Sequence, residues 1–234
     1  MIREGLVPES PGGGGASFGT PPAVTRLGTR PPADPTGWLM TEKMDGIFAR
    51  WNGTAFVTLG GWVLDAPKRL SRGLGAHLVD GELWAQRGNF GVVVAAHRLN
   101  SENSRWDSVD FYPFDVDAPG DFVTRTRPIR RRLVRSIRWE SLDQELERIR
   151  KAGGEGVVLR DQLAEYARGR TSSVVKYKCK TEQQSKVVQI LDDGRVKLES
   201  GVSFRTSAQL GDTVKYTITG FSDQGVQRGA RLLT

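Results

Sequence analysis

From Trp38 onward the chain is built of short apolar runs, most of them alternating with polar positions. Period-two runs predict strands at Trp38–Met40, Phe48–Trp51, Ala55–Leu59, Leu78–Trp84, Val92–Ala95, Val109–Phe114, Gly156–Leu159 and Val174–Tyr177. Helical spacing occurs twice. After Pro128, the positions Ile129, Leu133 and Ile137 predict an amphipathic helix. Leu142, Leu146 and Ile149 predict another over Ser141–Ala152, capped by Ser141 and ended by Gly153-Gly154. The middle of the chain therefore reads as α+β. A polar stretch without apolar periodicity, Cys179–Gln184, predicts a boundary. Beyond it come short strands at Lys186–Leu191, Arg195–Glu199, Ser203-Phe204-Arg205 and Thr213–Thr219, with Asp192-Asp193-Gly194 as a hairpin turn. This pattern fits a compact five-stranded barrel of the oligonucleotide-binding (OB) type, and equally an unspecific small β-domain.

Composition changes the picture at the N-terminus. Residues 1–36 hold Pro11, the Gly12–Gly15 run and the pairs Pro21-Pro22 and Pro31-Pro32, which cannot bury enough apolar surface to order alone. A flexible leader is expected there. Neither an apolar signal region nor a membrane-spanning run occurs, which predicts a cytoplasmic protein with no membrane partner. The lone Cys179 excludes an intrachain disulfide and a cysteine-rich zinc site, and strand alternation makes it a buried small apolar residue. His77 and His97 show no metal-ligand pattern.

Charge points to a polyanionic partner. The 234 residues carry 34 Lys+Arg against 27 Asp+Glu, a formal net charge of +7. A basic domain gains affinity for phosphate backbones by releasing counterions, without reading sequence. The densest cluster is Arg125, Arg127, Arg130, Arg131, Arg132, Arg135 and Arg138, from which Arg130 and Arg131 are candidate nucleic-acid contacts. A solvated charged face is the alternative.

Four short pieces carry candidate chemistry. They are Thr41-Glu42-Lys43-Met44-Asp45-Gly46, Asp80-Gly81-Glu82-Leu83, Glu155-Gly156-Val157-Val158-Leu159 and Lys176-Tyr177-Lys178. Together they suit nucleotide transfer through a lysine phosphoramidate. A free lysine is protonated up to a pKa of about 10.4, so a nucleophilic lysine needs neighbouring cations or desolvation. Lys176 and Lys178, two apart on a predicted strand, face one side and would supply those cations, and would also neutralise an α-phosphate. Asp45 and Glu155 suit Mg²⁺, which favours one or two carboxylates together with substrate phosphates. Glu82, after an Asp-Gly turn, would accept from a ribose hydroxyl. Each piece alone also fits a solvated turn or an exposed strand edge.

From Gly37 to about Thr181 the chain resembles the covalent nucleotidyltransferases, the polynucleotide ligases and mRNA capping enzymes, and most of all the small ATP-dependent DNA ligases of bacteria and viruses. Gly37 to Gly46 resembles the nucleophile strand and turn. Asp80-Gly81-Glu82-Leu83-Trp84 with Gly88-Asn89-Phe90 resembles the ribose-binding segment. Phe111-Tyr112-Pro113-Phe114-Asp115 is similar to the adenine-stacking segment, Gly153 to Arg160 to the metal-binding carboxylate motif, and Tyr166 to Arg170 with Lys176-Tyr177-Lys178 to the last catalytic strand.

The resemblance implies an adenylation domain of antiparallel sheets with flanking helices over 37–181, followed by a minimal OB-type barrel over 182–234. It implies Lys43 as nucleophile, Lys176 and Lys178 as catalytic cations, and Glu42, Asp45, Gly46, Glu82, Phe114 and Glu155 as nucleotide-binding residues, with Phe114 the base platform. ATP and Mg²⁺ are the implied cofactors, and nicked duplex, DNA before RNA, is the implied partner of a monomer. Residues 23–30 would lie over the nucleotide pocket.

Two arginines that the family uses on the 5′-phosphate of a nick are replaced here by Phe48 and Leu59. Arg50, two beyond Phe48 on the same strand face, is the candidate substitute. Arg228 and Arg231 are the only candidates for orienting pyrophosphate. RNA ligation, capping-type transfer and a non-catalytic nucleic-acid-binding module remain as alternatives.

Overall fold

The computed structural model describes residues 17–18, 20–28, 34–138, 142–221 and 225–233. In chain order the strands begin with β1 (Ser17–Phe18), β2 (Thr25–Gly28), β3 (Leu39–Glu42), β4 (Ile47–Trp51), β5 (Phe56–Thr58) and β6 (Trp62–Leu64). Next come β7 (Val79–Trp84), helix α1 (Phe90–Ala96), β8 (Asp110–Val116), helix α2 (Phe122–Thr126) and β9 (Ile137–Arg138). Helix α3 (Leu142–Lys151) leads into β10 (Gly156–Arg160) and β11 (Gly169–Lys178). The remainder is β12 (Thr181–Ile190), β13 (Val196–Leu198), β14 (Ser203–Phe204), β15 (Thr213–Ile218), β16 (Gly220–Phe221), β17 (Gln227–Arg228) and β18 (Arg231–Leu232).

Among the described residues these strands form three larger sheets and one hairpin. A six-stranded sheet runs β1-β6-β5-β4-β7-β8, and a five-stranded sheet runs β2-β11-β10-β3-β9. Alternation splits each into a core face and a cleft face. In the first, Ala49, Val79, Leu83 and Phe111 join a core completed by α1 and Trp106. Phe48, Arg50, Asp80, Glu82 and Tyr112 lie on the opposite face, Phe48 directly across from Glu82 and Arg50 across from Asp80. In the second sheet, Met40, Val157, Leu159 and Val175 pack on Ile149, Leu142 and Leu146 of α3. Its other face carries Thr41, Val158 and Lys176 in register across β3, β10 and β11.

Buried ion pairs join the two cleft faces. Arg50 donates to Asp80 at 2.6 and 3.0 Å, to Asp117 at 3.0 Å and to the Tyr166 hydroxyl at 2.6 Å. Arg125 of α2 and Arg160 of β10 share Asp115, at 2.7 and 2.5 Å. The Tyr166 hydroxyl also donates to Asp80 and accepts from Thr25 of β2. Residues of both sheets thus meet in one network of fully engaged charges, which satisfies groups that would be costly to bury alone.

The C-terminal sheet, β14-β13-β12-β15-β18, curls into a nearly closed barrel of the OB type around Val187, Val196, Leu198, Val214, Tyr216 and Ile218. Its long first strand starts at Thr181, so the polar stretch expected to be a boundary is mostly strand, paired with β15 from Thr181↔Ile218 onward. Polar residues on the open face of a strand leave no apolar periodicity to read.

Two further expectations change. Val92–Ala95 is helix α1, not strand: Val93 and Ala96, three apart, are both buried against the Trp106 turn, and this packing overrides the β-preference of valine. The helix expected after Pro128 is a 3₁₀ turn, Arg127–Ile129, and one further turn closed by Leu133 N donating to Ile129 O at 3.1 Å. The chain then extends, Val134 N reaching Pro113 O at 2.8 Å, and Ile137 pairs with Met40 as β9. Ile129 and Leu133 still face the core, so the spacing marked one real turn. Residues 23–30, the part of the leader expected to be ordered, include an edge strand, Thr25–Gly28, parallel to β11. Helix α3 stands where expected; its expected cap, Ser141, lies outside the described residues.

Candidate active site

Four separate segments bring the expected site residues together. Lys43 leaves β3 held by its own N–H, which donates to Gly156 O at 2.7 Å. Its Nζ is ion-paired with Glu155 Oε2, and Lys178 Nζ takes Oε1 of the same carboxylate. Burial pushes the Glu155 carboxyl up, but the charges of Lys43 and Lys178 outweigh it and hold the group below the ordinary glutamate range. Glu155 is therefore a carboxylate at neutral pH, clamped between two ammonium groups. Lys176 lies two residues before Lys178 on the same strand face.

Glu82 stands beside this cluster in the opposite ionisation state. Burial pushes its carboxyl up to about 8; Lys43 and the Gly46 N–H pull the other way, while Glu155 and Asp45 add to the rise. At neutral pH it keeps its proton and can donate to a sugar oxygen as well as accept. Gly46 N donates to Glu82 Oε1 at 3.2 Å. Gly46 is required by close approach: a Cβ there would lie 2.2 Å from Leu83 O and 2.8 Å from Glu82 Cγ. Phe114 sits 6.2 Å from Phe48, ring to ring, so an aromatic wall flanks Glu82.

A groove of about 670 Å³ opens beside this cluster along β3, lined by Thr41, Glu42, Met44, Tyr112, Arg135 and Arg148 among others. It borders the lysine turn through Glu42 and Met44, the residues on either side of Lys43. Among the described residues no group of three or more His, Cys, Asp or Glu side chains could hold a metal unaided. The carboxylates of Asp45 and Glu155 fit instead the pattern of a hard cation shared with substrate phosphates.

Several candidates sit elsewhere. Arg50 is only 6% exposed and its guanidinium is spent on Asp80, Asp117 and Tyr166, so it cannot reach a nick phosphate as expected of it. Glu42 is held by Arg87 rather than turned to the cleft. Arg130 and Arg131 are exposed on the turn after Ile129. Arg228 and Arg231 are exposed at the C-terminus, with no bond or ion pair to the Lys43 cluster among the described residues. The first partner of Lys43 is the Glu155 carboxylate, expected near it as a metal ligand and found as its ion-pair partner. Sequence reasoning also missed Arg87, the Asp115 pairs with Arg125 and Arg160, and the Tyr166–Asp80 bond, because one arginine in a polar turn and charges on strands look solvated until the sheets face each other.

Two sheets flank the lysine turn, and an OB-type barrel follows them in the chain. In sequence and fold the chain is similar to ATP-dependent DNA ligases. No protein-family model matches it. A DNA ligase of Haemophilus influenzae is 28% identical over 166 residues, which is 65% of this chain, and the match spans 62% of that relative's length. A Lig E DNA ligase, described as binding DNA with a minimal scaffold, superposes with a TM-score of 0.71 at 25% identity over 88% of this chain and 97% of that one. The Chlorella virus DNA ligase-adenylate (TM-score 0.54, 16% identity, 91% of this chain and 100% of that one) shares the fold. So does the bacteriophage T7 ligase in complex with ATP (TM-score 0.56, 12% identity, 91% and 98%).

Proposed function

We propose that the chain is an ATP-dependent DNA ligase that seals nicks through a lysyl-AMP intermediate on Lys43. The observation that carries this reading is the clamp of Lys43 and Lys178 on one Glu155 carboxylate. A binding module needs none of these groups in contact.

Lys43 Nζ first gives its ammonium proton to solvent, and the lone pair so freed attacks the α-phosphorus of ATP. The N–P bond forms, the bond to the β-phosphate oxygen breaks, pyrophosphate leaves and the amine proton passes to solvent. Glu155 is too weak a base to keep that proton and instead orients Nζ for in-line attack. Lys176 and Lys178 neutralise charge developing on the phosphate oxygens. Glu82 binds the ribose, and Phe114, backed by Phe48, offers the face on which the base stacks. Asp45 and Glu155 would hold Mg²⁺ jointly with the phosphates, and the bound ion supplies further charge neutralisation. AMP then passes to the 5′-phosphate of the nick, and the 3′-hydroxyl displaces it to form the phosphodiester. The exposed Arg130 and Arg131 are proposed phosphate contacts of the duplex.

Sealing assays on matched nicked duplexes, with DNA or RNA strands flanking the nick, test the substrate. Sealing of the all-DNA nick is expected; product only with RNA strands overturns the DNA assignment. Labelling by α-labelled GTP in preference to ATP would favour capping-type transfer.

A further inference from the structure

Arg87 follows β7, the strand that carries Glu82, across a turn in which Gln86 adopts φ 78°, the one positive φ outside glycine among the described residues. Such backbone is strained and persists where the surroundings over-determine it. It aims Arg87 at Glu42, the residue before the nucleophile. Nε and Nη2 each donate at 2.7 Å, one to each carboxylate oxygen, in a bidentate fork.

This pair also touches the segment that carries Glu155. A Cβ on Gly154 would lie 2.5 Å from Ile149 Cγ2, 3.0 Å from Glu42 Oε1 and 3.2 Å from Arg87 Nε, so the glycine's bare backbone packs on Ile149 and leaves the pair room to lie close against it. Three chain segments, bearing Lys43, Glu82 and Glu155, therefore converge on one ion pair that is itself absent from the reacting groups. The pair is partly exposed, 32% for Arg87 and 20% for Glu42, so bulk stability gains little from it. Its geometry is better suited to fixing positions than to holding the fold.

We propose that Arg87 is a positioning residue for Lys43: by forking onto Glu42 against Gly154, it sets the lysine turn relative to Glu82 and Glu155. The inference rests on the lysyl-AMP reading above. Reciprocally, Glu42 acts on the nucleotide through Arg87 and the backbone, not by contact.

The test is the single-turnover rate of lysyl-AMP formation with α-labelled ATP in Arg87→Ala, Arg87→Lys, Glu42→Gln and the double variant Arg87→Ala/Glu42→Gln. Melting temperatures of all four are recorded alongside. Misplacing a nucleophile by about 1 Å costs on the order of 100-fold in rate, so a loss of about 10–100-fold at saturating ATP is expected in Arg87→Ala, with the half-saturating ATP concentration little changed. Glu42→Gln is expected to match it, and the double variant to be no slower than either single one, as for two residues acting as a unit. Arg87→Lys, which keeps the charge without the fork, is expected to fall between. Additive losses in the double variant overturn the proposal. So does a wild-type rate in Arg87→Ala, or a defect confined to ATP affinity or to sealing of a pre-adenylated nick. A wild-type chain that takes no label at all fails the ligase reading, a result distinct from each of these.

Discussion

Lys43 and Lys178, which come from different strands, bind opposite oxygens of the one Glu155 carboxylate. Each ammonium limits how far the carboxylate can lean toward the other, so Lys178 governs where Glu155 holds Lys43. Lys178→Ala leaves Glu155 to Lys43 alone and removes a cation from the site of phosphate charge. Removing one such group typically costs about 10²–10³-fold. A loss of that size in lysyl-AMP formation is expected; a rate within experimental scatter of wild type would remove Lys178 from the mechanism.

Glu82 makes stability depend on pH in a known direction. Its folded-state carboxyl titrates at about 8, against 4.5 for an unperturbed group, chiefly because it is buried. Between those values the unfolded chain has lost the proton and the folded chain has kept it. Stability therefore falls as pH rises from about 4.5 to about 8, then levels. Glu82→Gln removes the titration. Its melting temperature should gain on wild type steadily across that window, and a difference independent of pH would contradict the assignment.

Arg50 holds the fold rather than the nucleic acid. Arg50→Met leaves the buried Asp80 with the Tyr166 hydroxyl and no cation, and Asp117 with Arg168 alone. Deleting one member of a buried pair costs about 3–5 kcal/mol. Chemical denaturation should show a loss of that order, while the folded fraction keeps its affinity for nicked duplex. Weakened binding with unchanged stability would restore the role first expected for Arg50.

Arg130 and Arg131 are exposed on a tight turn and are the proposed backbone contacts, without base reading. Arg130→Ala/Arg131→Ala should weaken duplex binding uniformly across sequences. Each lost phosphate contact flattens the slope of log affinity against log salt by about 1. An unchanged salt dependence would place the duplex on another face.

Much of this site was legible because its residues sit where strands end, in short motifs whose spacing survives folding. Lys43, Gly46, Glu82, Glu155 and Lys178 converge as their order along the chain implies. Strand and helix positions around them followed from alternation and from the apolar stripe of α3. Illegible features depended on which faces meet. Arg50 shares a strand face with Phe48, as expected, but Asp80 on the neighbouring strand and Tyr166 from the other sheet's side claim it. Val92–Ala95 carried a strand's propensity and took a helix because Val93 and Ala96 fit a core made elsewhere in the chain. Arg87 was a polar turn residue until Glu42 was placed beside it.

The most direct measurement is covalent labelling of the protein with α-labelled ATP and Mg²⁺, read after denaturation. Label that survives denaturation, is lost in Lys43→Ala and is chased by nicked duplex is the predicted result. Absence of denaturation-stable label on the wild-type chain, or equal labelling of Lys43→Ala, would contradict it.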